Sequence, residues 1–189
     1  NLGNILAAAI SKNSLELNTD DILVIAQKIV SKSENRLVQL SEIRPSKEAL
    51  AVSNITLKDA RLVELILRES RRIVRKSPHV LITETHHGFI CANAGIDQSN
   101  VEGEHVVSLL PEDPDNSARR ICEEIAQIIG VRVAVIISDT FGRAWREGQV
   151  NFAIGVSGMD PILDYRGSLD RQGSVLKTTS IAAADELVG

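Results

Sequence analysis

Aromatic residues are scarce in this chain: three Phe, one Trp and one Tyr among 189 residues. The ring platforms on which single-stranded nucleic acids stack are therefore missing. Positive charge is not in excess either. Lys and Arg number 21 against 25 Asp and Glu, a formal net charge of -4 and a pI of about 5.6. A general nucleic-acid binder carries a basic footprint, so no nucleic-acid partner is expected. Only two cysteines occur, Cys91 and Cys122. They make neither a disulfide framework nor a Cys-x-x-Cys knuckle, and a reduced, cytoplasmic protein is the expectation. No apolar run is long enough to span a membrane and no signal peptide is visible, so no membrane partner is expected. The sequence also lacks a Walker-type Gly-x-x-x-x-Gly-Lys and a Gly-x-Gly-x-x-Gly, internal repeats and low-complexity tracts. A nucleotide, if bound, is held by a less familiar arrangement.

What is present is an ordinary globular composition. The chain is 43% hydrophobic and 24% charged, with mean hydropathy +0.02, and its core must be built from Ile, Val, Leu and Ala. Its length suits one good-sized domain or two small ones; the expectation is a single catalytic module over 1–189, truncated at both ends. Ile5–Ile10 reads as helix and Ile22–Ile25 as a short buried strand. Ala26–Ser33 is ambiguous, with Lys28 and Lys32 spaced so that both could meet one ligand. Pro45 and Ser46 signal a short helix over Ser46–Val52. Leu57–Lys76 reads as the clearest helix, with Leu62, Leu65, Ile66 and Ile73 on one face and Arg61, Glu64, Arg68, Arg71 and Arg75 on the other. That arginine-rich face is read as solvated rather than as an anion-binding surface. Val80–Glu84 and Phe89–Ala92 flank Thr85-His86-His87-Gly88 as a hairpin, with both histidines in a solvated loop. Val106–Leu110 is a further strand, Ser117–Ile129 an amphipathic helix that buries Cys122 and stops at Gly130, Asn151–Val156 strand-like, and Val175–Ile181 the last strand. The fold class expected is α+β (mixed α/β), with mixed sheets and flanking amphipathic helices.

Chemistry concentrates in Ser138-Asp139-Thr140-Phe141-Gly142-Arg143-Ala144-Trp145-Arg146-Glu147, directly after the β-branched run Val131–Ile137. A buried strand ending there places Asp139 and Thr140 at its carboxyl end, where open α/β sheets bind ligands. Asp139 offers a hard oxygen to Mg²⁺ or Mn²⁺, Thr140 another, and Gly142 a sharp turn. Arg143 and Arg146 present forks that suit phosphate or carboxylate. A metal ligand beside anion clamps is the minimum kit for phosphoryl transfer. The bland alternative is a strand end with a capping Asp and two surface arginines, and the ten residues alone leave the two level. The loop Asn93-Ala94-Gly95-Ile96-Asp97-Gln98-Ser99-Asn100-Val101 is either a plain turn or a second source of oxygen ligands. If Asp97 and Asp139 converge, their repulsion of ~4 kcal/mol at 4 Å and a dielectric of about 20 asks for a cation between them.

These two segments, with Gln27-Lys28-Ile29-Val30-Ser31-Lys32, Leu109-Leu110-Pro111, Asp113-Pro114-Asp115, Ala153-Ile154-Gly155-Val156 and Asp164-Tyr165-Arg166-Gly167, in this order and spacing, resemble the coenzyme F420-0:L-glutamate ligase family, the CofE type, or the amino-terminal ligase module of its bifunctional form. The resemblance runs from about Asp20 to Leu187. It implies a CofE-like α+β fold, a homodimer, and a GTP-dependent amide ligase. L-glutamate is added to the lactyl carboxylate of the deazaflavin precursor F420-0 through an acyl phosphate, and further glutamates follow in γ-linkage. Mg²⁺ or Mn²⁺ is implied, with K⁺ assisting. By residue, it implies Asp97, Asp139 and Thr140 as metal ligands, Asn100 and Lys32 as GTP contacts, and Ala26 and Gln27 at nucleotide-contacting positions. Asp97 and Asp139 would thereby be catalytic; Arg143 and Arg146 join them on anion-binding chemistry alone. A metal-dependent phosphohydrolase and a non-catalytic nucleotide- or deazaflavin-binding module are the alternatives.

Overall fold

The computed structural model describes residues 1–98 and 105–189. In chain order its elements begin α1 (Leu2–Lys12), β1 (Ile22–Ala26), α2 (Gln27–Ser33), β2 (Leu37–Gln39), α3 (Lys47–Thr56), α4 (Ala60–Arg68), β3 (Ser70–Ser77), β4 (Val80–Thr85) and β5 (Ile90–Ala92). There follow β6 (Val106–Ser108), α5 (Pro114–Ile129), β7 (Ala134–Arg143), β8 (Arg146–Ser157), β9 (Leu163–Asp164), β10 (Ser180–Ile181) and α6 (Ala183–Val188). Helices accompany sheets that are antiparallel in every pair described with a register except β1–β7, which is an α+β fold as expected. No described helix is long and apolar enough to cross a membrane.

The chain divides into two compact units. One comprises residues 1–26, 114–139 and 151–189; the other comprises 27–113 and 140–150. The first is built on the sheet β1-β7-β8. Its parallel pair is in register from Ile22↔Ala134 to Ala26↔Ser138. Ile136 and Ile137 are fully buried on β7, whereas β1, an edge strand, leaves Ile22 and Val24 exposed and buries only Ile25. The expected buried strand is thus an edge strand covered on one face. Helix α1 is capped by the Asn1 side chain, which accepts from Asn4 N at 3.3 Å, and it packs on α5. There the Glu124 carboxylate accepts from Gly3 N at 3.0 Å. Gly155 on β8 passes so close to the Pro114 carbonyl that a Cβ would lie 2.4 Å from its oxygen.

The second unit packs α3 and α4 over the antiparallel sheet β3-β4-β5, around Val52, Val63, Ile66, Leu81 and Val107. Its helices correct the sequence reading. The segment Leu57–Lys76 is not one helix. Helix α3 runs four residues past Val52 and ends at Thr56, where Leu57 caps it in the left-handed conformation at φ 56°. Asp59 then caps α4 by accepting from Arg61 N at 2.8 Å. After Arg68 the chain is strand, because β4 supplies a ladder that pairs Ile73 with Thr83 and sets Arg72 2.6 Å from Glu84. Helix propensity in Arg71–Arg75 does not outweigh a partner strand. The stripe Leu62, Leu65 and Ile66 is genuine but belongs to nine residues of α4. Glu64, nearly buried, ties the two helices: its carboxylate accepts from Ser46 N, the cap of α3, at 2.9 Å and from Arg68 at 2.9 Å. The Ser46 hydrogen bonds, then Arg68, hold its pKa below the ordinary carboxylate value.

Three further boundaries shift. Strand β7 begins at Ala134, where Ala134 N donates to Asp21 O at 3.2 Å, and it continues through Arg143. The stretch Ser138–Arg143, where a strand end and a sharp turn at Gly142 were expected, is extended strand because β8 pairs with β7, and the reversal falls at Ala144-Trp145. The last strand shrinks to Ser180–Ile181, where β9 offers it a partner. Helix α5 starts at Pro114, three residues early, using proline's fixed φ at the first turn; Cys122 is buried in it.

Candidate active site

Asp97 is placed by backbone pairing. It forms an isolated bridge with Ser108 on β6, N to O at 3.1 Å and in reverse at 2.8 Å. The chain reaches it through Asn93, Ala94 and Gly95, all with positive φ of 54°, 55° and 71°. Only Gly95 takes that conformation without strain. A Cβ there would also meet the Leu110 side chain at 2.9 Å. Small residues in this run let the loop fold tightly enough to aim Asp97 at a cavity of about 400 Å³, lined by Leu62, Asn93, Ile96, Asp97 and Gln98. Asn93 Oδ1 is buried and has no hydrogen-bond partner among the described residues.

The cation facing Asp97 is Lys28. Its Nζ lies 2.6 Å from Asp97 Oδ2, with the side chains 26% and 37% exposed. Sequence reading noted Lys28 by its spacing but gave it no role. Its position follows from β1 running straight into α2: Ala26 ends the strand and Gln27 opens the helix. Gln27 is buried. Its Nε2 donates to Ser31 Oγ at 2.7 Å and to Leu109 O at 3.0 Å. Ser31 Oγ also donates to Leu109 O at 2.7 Å. The amide thereby anchors α2 to the chain after β6, and its Oε1 has no partner among the described residues. Lys32 stands exposed in the last turn of α2.

The other candidates lie along β7 and β8. Asp139 is half-buried and belongs to the first unit, while Thr140 is exposed and belongs to the second with Asp97. Arg143 donates to Gly148 O at 3.3 Å, and Arg146 is exposed at the start of β8. Gly142 lies within the strand rather than in a turn. Asn100 lies outside the described residues. No group of three or more His, Cys, Asp or Glu side chains is gathered for a metal among the described residues. The donor chemistry nevertheless suits a hard cation: Asp97, Asp139 and Thr140 offer oxygens only, and Asn93 Oδ1 is an unsatisfied oxygen beside Asp97.

His87 departs from the solvated loop expected of it. Its Nε2 donates to Pro111 O at 2.9 Å and Glu112 O at 3.1 Å, and its ring stacks on Phe89 at 5.6 Å. It therefore pins the hairpin loop to the segment after β6. His86 is exposed and donates to Arg68 O at 2.8 Å.

The sequence profile of the F420-0:Gamma-glutamyl ligase family matches residues 1–189. The coenzyme F420:L-glutamate ligase of Methanothermobacter thermautotrophicus is 48% identical over 183 residues, which are 97% of this chain and 72% of that protein. The protein of the same name from Methanopyrus kandleri is 48% identical over 185 residues, 98% of this chain and 73% of that one. That from Methanocaldococcus jannaschii is 47% identical over 168 residues, 88% and 66%. With the whole length matched and nearly half of it identical, the chain belongs to the F420-0:gamma-glutamyl ligase family.

Proposed function

We propose that this chain is a GTP-dependent amide ligase that joins L-glutamate to the lactyl carboxylate of coenzyme F420-0, a deazaflavin, and then extends the product by γ-linked glutamates. The observation that carries the reading is the family match over residues 1–189. In ligation of this kind the lactyl carboxylate takes the γ-phosphoryl group of GTP, giving an acyl phosphate and GDP. The glutamate amine attacks the acyl carbon, a C–N bond forms, the C–O bond to phosphate breaks, and the amine proton goes to solvent. A cavity of about 400 Å³ is in the size range of small-molecule sites.

Each residue has a defined task in this reading. Asp97, Asp139 and Thr140 hold Mg²⁺ or Mn²⁺, with K⁺ as a second, monovalent ion. The divalent ion supplies charge neutralisation for the phosphates. Lys28 balances Asp97 and fixes the direction of its carboxylate. Ala26, Gln27, Lys32 and Asn100 form the nucleotide contacts, the buried Gln27 holding α2 in place through Leu109. Arg143 and Arg146 bind anionic substrate groups. The active species is a cytoplasmic homodimer. Incubation of the full-length protein with GTP, divalent metal, L-glutamate and F420-0 should yield GDP and phosphate only when all four are present. Equal GDP release without acceptor identifies a phosphohydrolase, and binding without turnover identifies a non-catalytic module; either result removes the ligase reading.

A further inference from the structure

The one tryptophan of the chain stands where folding energetics would not put it. Trp145 is 99% exposed. It is the second residue of the two-residue turn between β7 and β8, and its backbone lies at φ 59°. An indole contributes most to stability when buried, and here it contributes nothing of that kind. The left-handed region favours glycine, and a bulky residue there is strained. Backbone strain of this sort clusters at ligand clamps and active sites. Arg143 and Arg146 bracket the turn as the last residue of β7 and the first of β8. Neither forms an ion pair among the described residues; Arg143 reaches only the Gly148 carbonyl. Strand alternation turns Glu147 to the face opposite Arg146. The tip is therefore a solvent-exposed indole at a strained backbone position, flanked along the chain by two arginines.

We propose that this hairpin tip binds the acceptor: Trp145 stacks on the planar deazaflavin ring, and Arg143 and Arg146 receive the anionic lactyl end of the same molecule. The inference rests on the ligase reading and deepens it. Of the three substrates, glutamate has no ring, and GTP is proposed to lie at Ala26, Gln27 and Lys32. The acceptor alone remains to join an extended aromatic system to a carboxylate, the pairing that a tryptophan beside two arginines recognises. Stacking on an exposed aromatic also tolerates a growing glutamate tail, because it engages the end of the molecule that the reaction leaves unchanged.

The test is steady-state kinetics of the full chain with each substrate varied in turn, together with a direct titration of F420-0 in the absence of GTP and the mass in solution. Trp145→Ala should raise KM and Kd for F420-0 about tenfold, ~1.4 kcal/mol. KM for GTP and for glutamate should stay within twofold, and the mass should not change. Trp145→Phe should restore most of the affinity. Trp145→Gly should lose affinity like the alanine variant while its melting temperature holds or rises, since glycine relieves the left-handed strain. Arg146→Gln should weaken F420-0 binding and reduce its salt dependence. Unchanged acceptor binding in Trp145→Ala, with wild-type turnover intact, overturns the proposal and leaves the ligase reading standing. A rise in KM for GTP instead assigns the tip to the nucleotide and overturns it. A fall in mass assigns the tip to contact with a second copy and overturns it equally. If the wild-type protein itself shows no acceptor-dependent turnover, the ligase reading fails and takes this proposal with it.

Discussion

Replacing Asp97 by asparagine keeps the side-chain shape and removes one charge, and the structure separates what that costs the fold from what it costs the reaction. The ion pair weakened is Asp97 Oδ2 to Lys28 Nζ at 2.6 Å. Two unit charges at that distance attract by ~6 kcal/mol at an effective dielectric of about 20 and by ~1.6 kcal/mol in water. Both side chains are more than a quarter exposed, so screening and side-chain entropy reduce the net value to under about 1 kcal/mol. The backbone bridge to Ser108 does not involve the carboxylate and persists in the variant. For a chain of this size 1 kcal/mol moves the melting temperature by ~2–4 °C, so Asp97→Asn should melt within about 4 °C of wild type. Turnover should respond differently. Metal stabilisation of phosphoryl charge is worth several kcal/mol, and ~2.7 kcal/mol is a hundredfold in rate. Asp97→Asn should therefore lose about a hundredfold or more in metal-dependent ligation. Asp139→Asn should lose as much, and the double variant little more, because both are assigned to one metal centre. The assay is GDP release at several Mn²⁺ concentrations beside a melting curve. Near-normal turnover at low Mn²⁺ refutes the ligand assignment. A variant that unfolds refutes the claim that the pair is energetically minor.

Three further outcomes follow from particular contacts. Gly155→Ala sets a Cβ 2.4 Å from the Pro114 carbonyl oxygen, and since neither backbone is free to yield, the variant should lose about 1–3 kcal/mol or more in denaturant unfolding; an unchanged midpoint contradicts the close approach of β8 to α5. Glu64 has its pKa lowered by Ser46 and Arg68, so its stabilising contribution is complete above its ordinary value near 4.5 and is lost as pH falls through the lower folded value; Glu64→Gln should flatten the acid limb of a stability-versus-pH curve below about pH 4.5, and an identical limb in both proteins rejects the cap link. Ser31→Ala removes one donor to the buried Leu109 carbonyl and leaves Gln27 Nε2 short of an acceptor; it should destabilise by ~1–3 kcal/mol, and a variant as stable as wild type shows that this network does not anchor α2.

Local signals were legible in the sequence where the chain supplies both partners of an interaction within a few residues. Ser46 caps α3 through its own Ala49 N, Gly130 ends α5 at φ 84°, and the β4–β5 hairpin closes around Gly88. Signals that depend on a distant strand were not. Arg71–Arg75 has a helical pattern, and only the presence of β4 makes it a strand. Asp139 resembles a residue at a strand terminus because the apolar run stops at Ile137, yet strand geometry continues for as long as β8 lies alongside. Periodicity reports burial rather than pairing, so a polar strand arm is invisible to it.

The same distinction explains which site residues could be found. Asp97 and Asp139 were recognisable because carboxylates in Gly-bearing or strand-end contexts are chemically conspicuous and because the surrounding motifs resemble a known family. Lys28 was seen only as a possible ligand contact, and its actual partner is 69 positions away on a loop aimed by three left-handed residues. No spacing rule connects positions 28 and 97; the connection requires β1 to lead without a loop into α2 and the Ser108 bridge to hold Asp97. Trp145 is the converse case. Its identity was plain, but its meaning rests on exposure and backbone conformation. In a chain this poor in aromatics, a tryptophan withheld from the core and held at an unfavourable φ is a stronger sign of recognition than it would be in an aromatic-rich protein. The composition that ruled out nucleic-acid stacking platforms therefore also singles out the residue assigned to stacking on the acceptor.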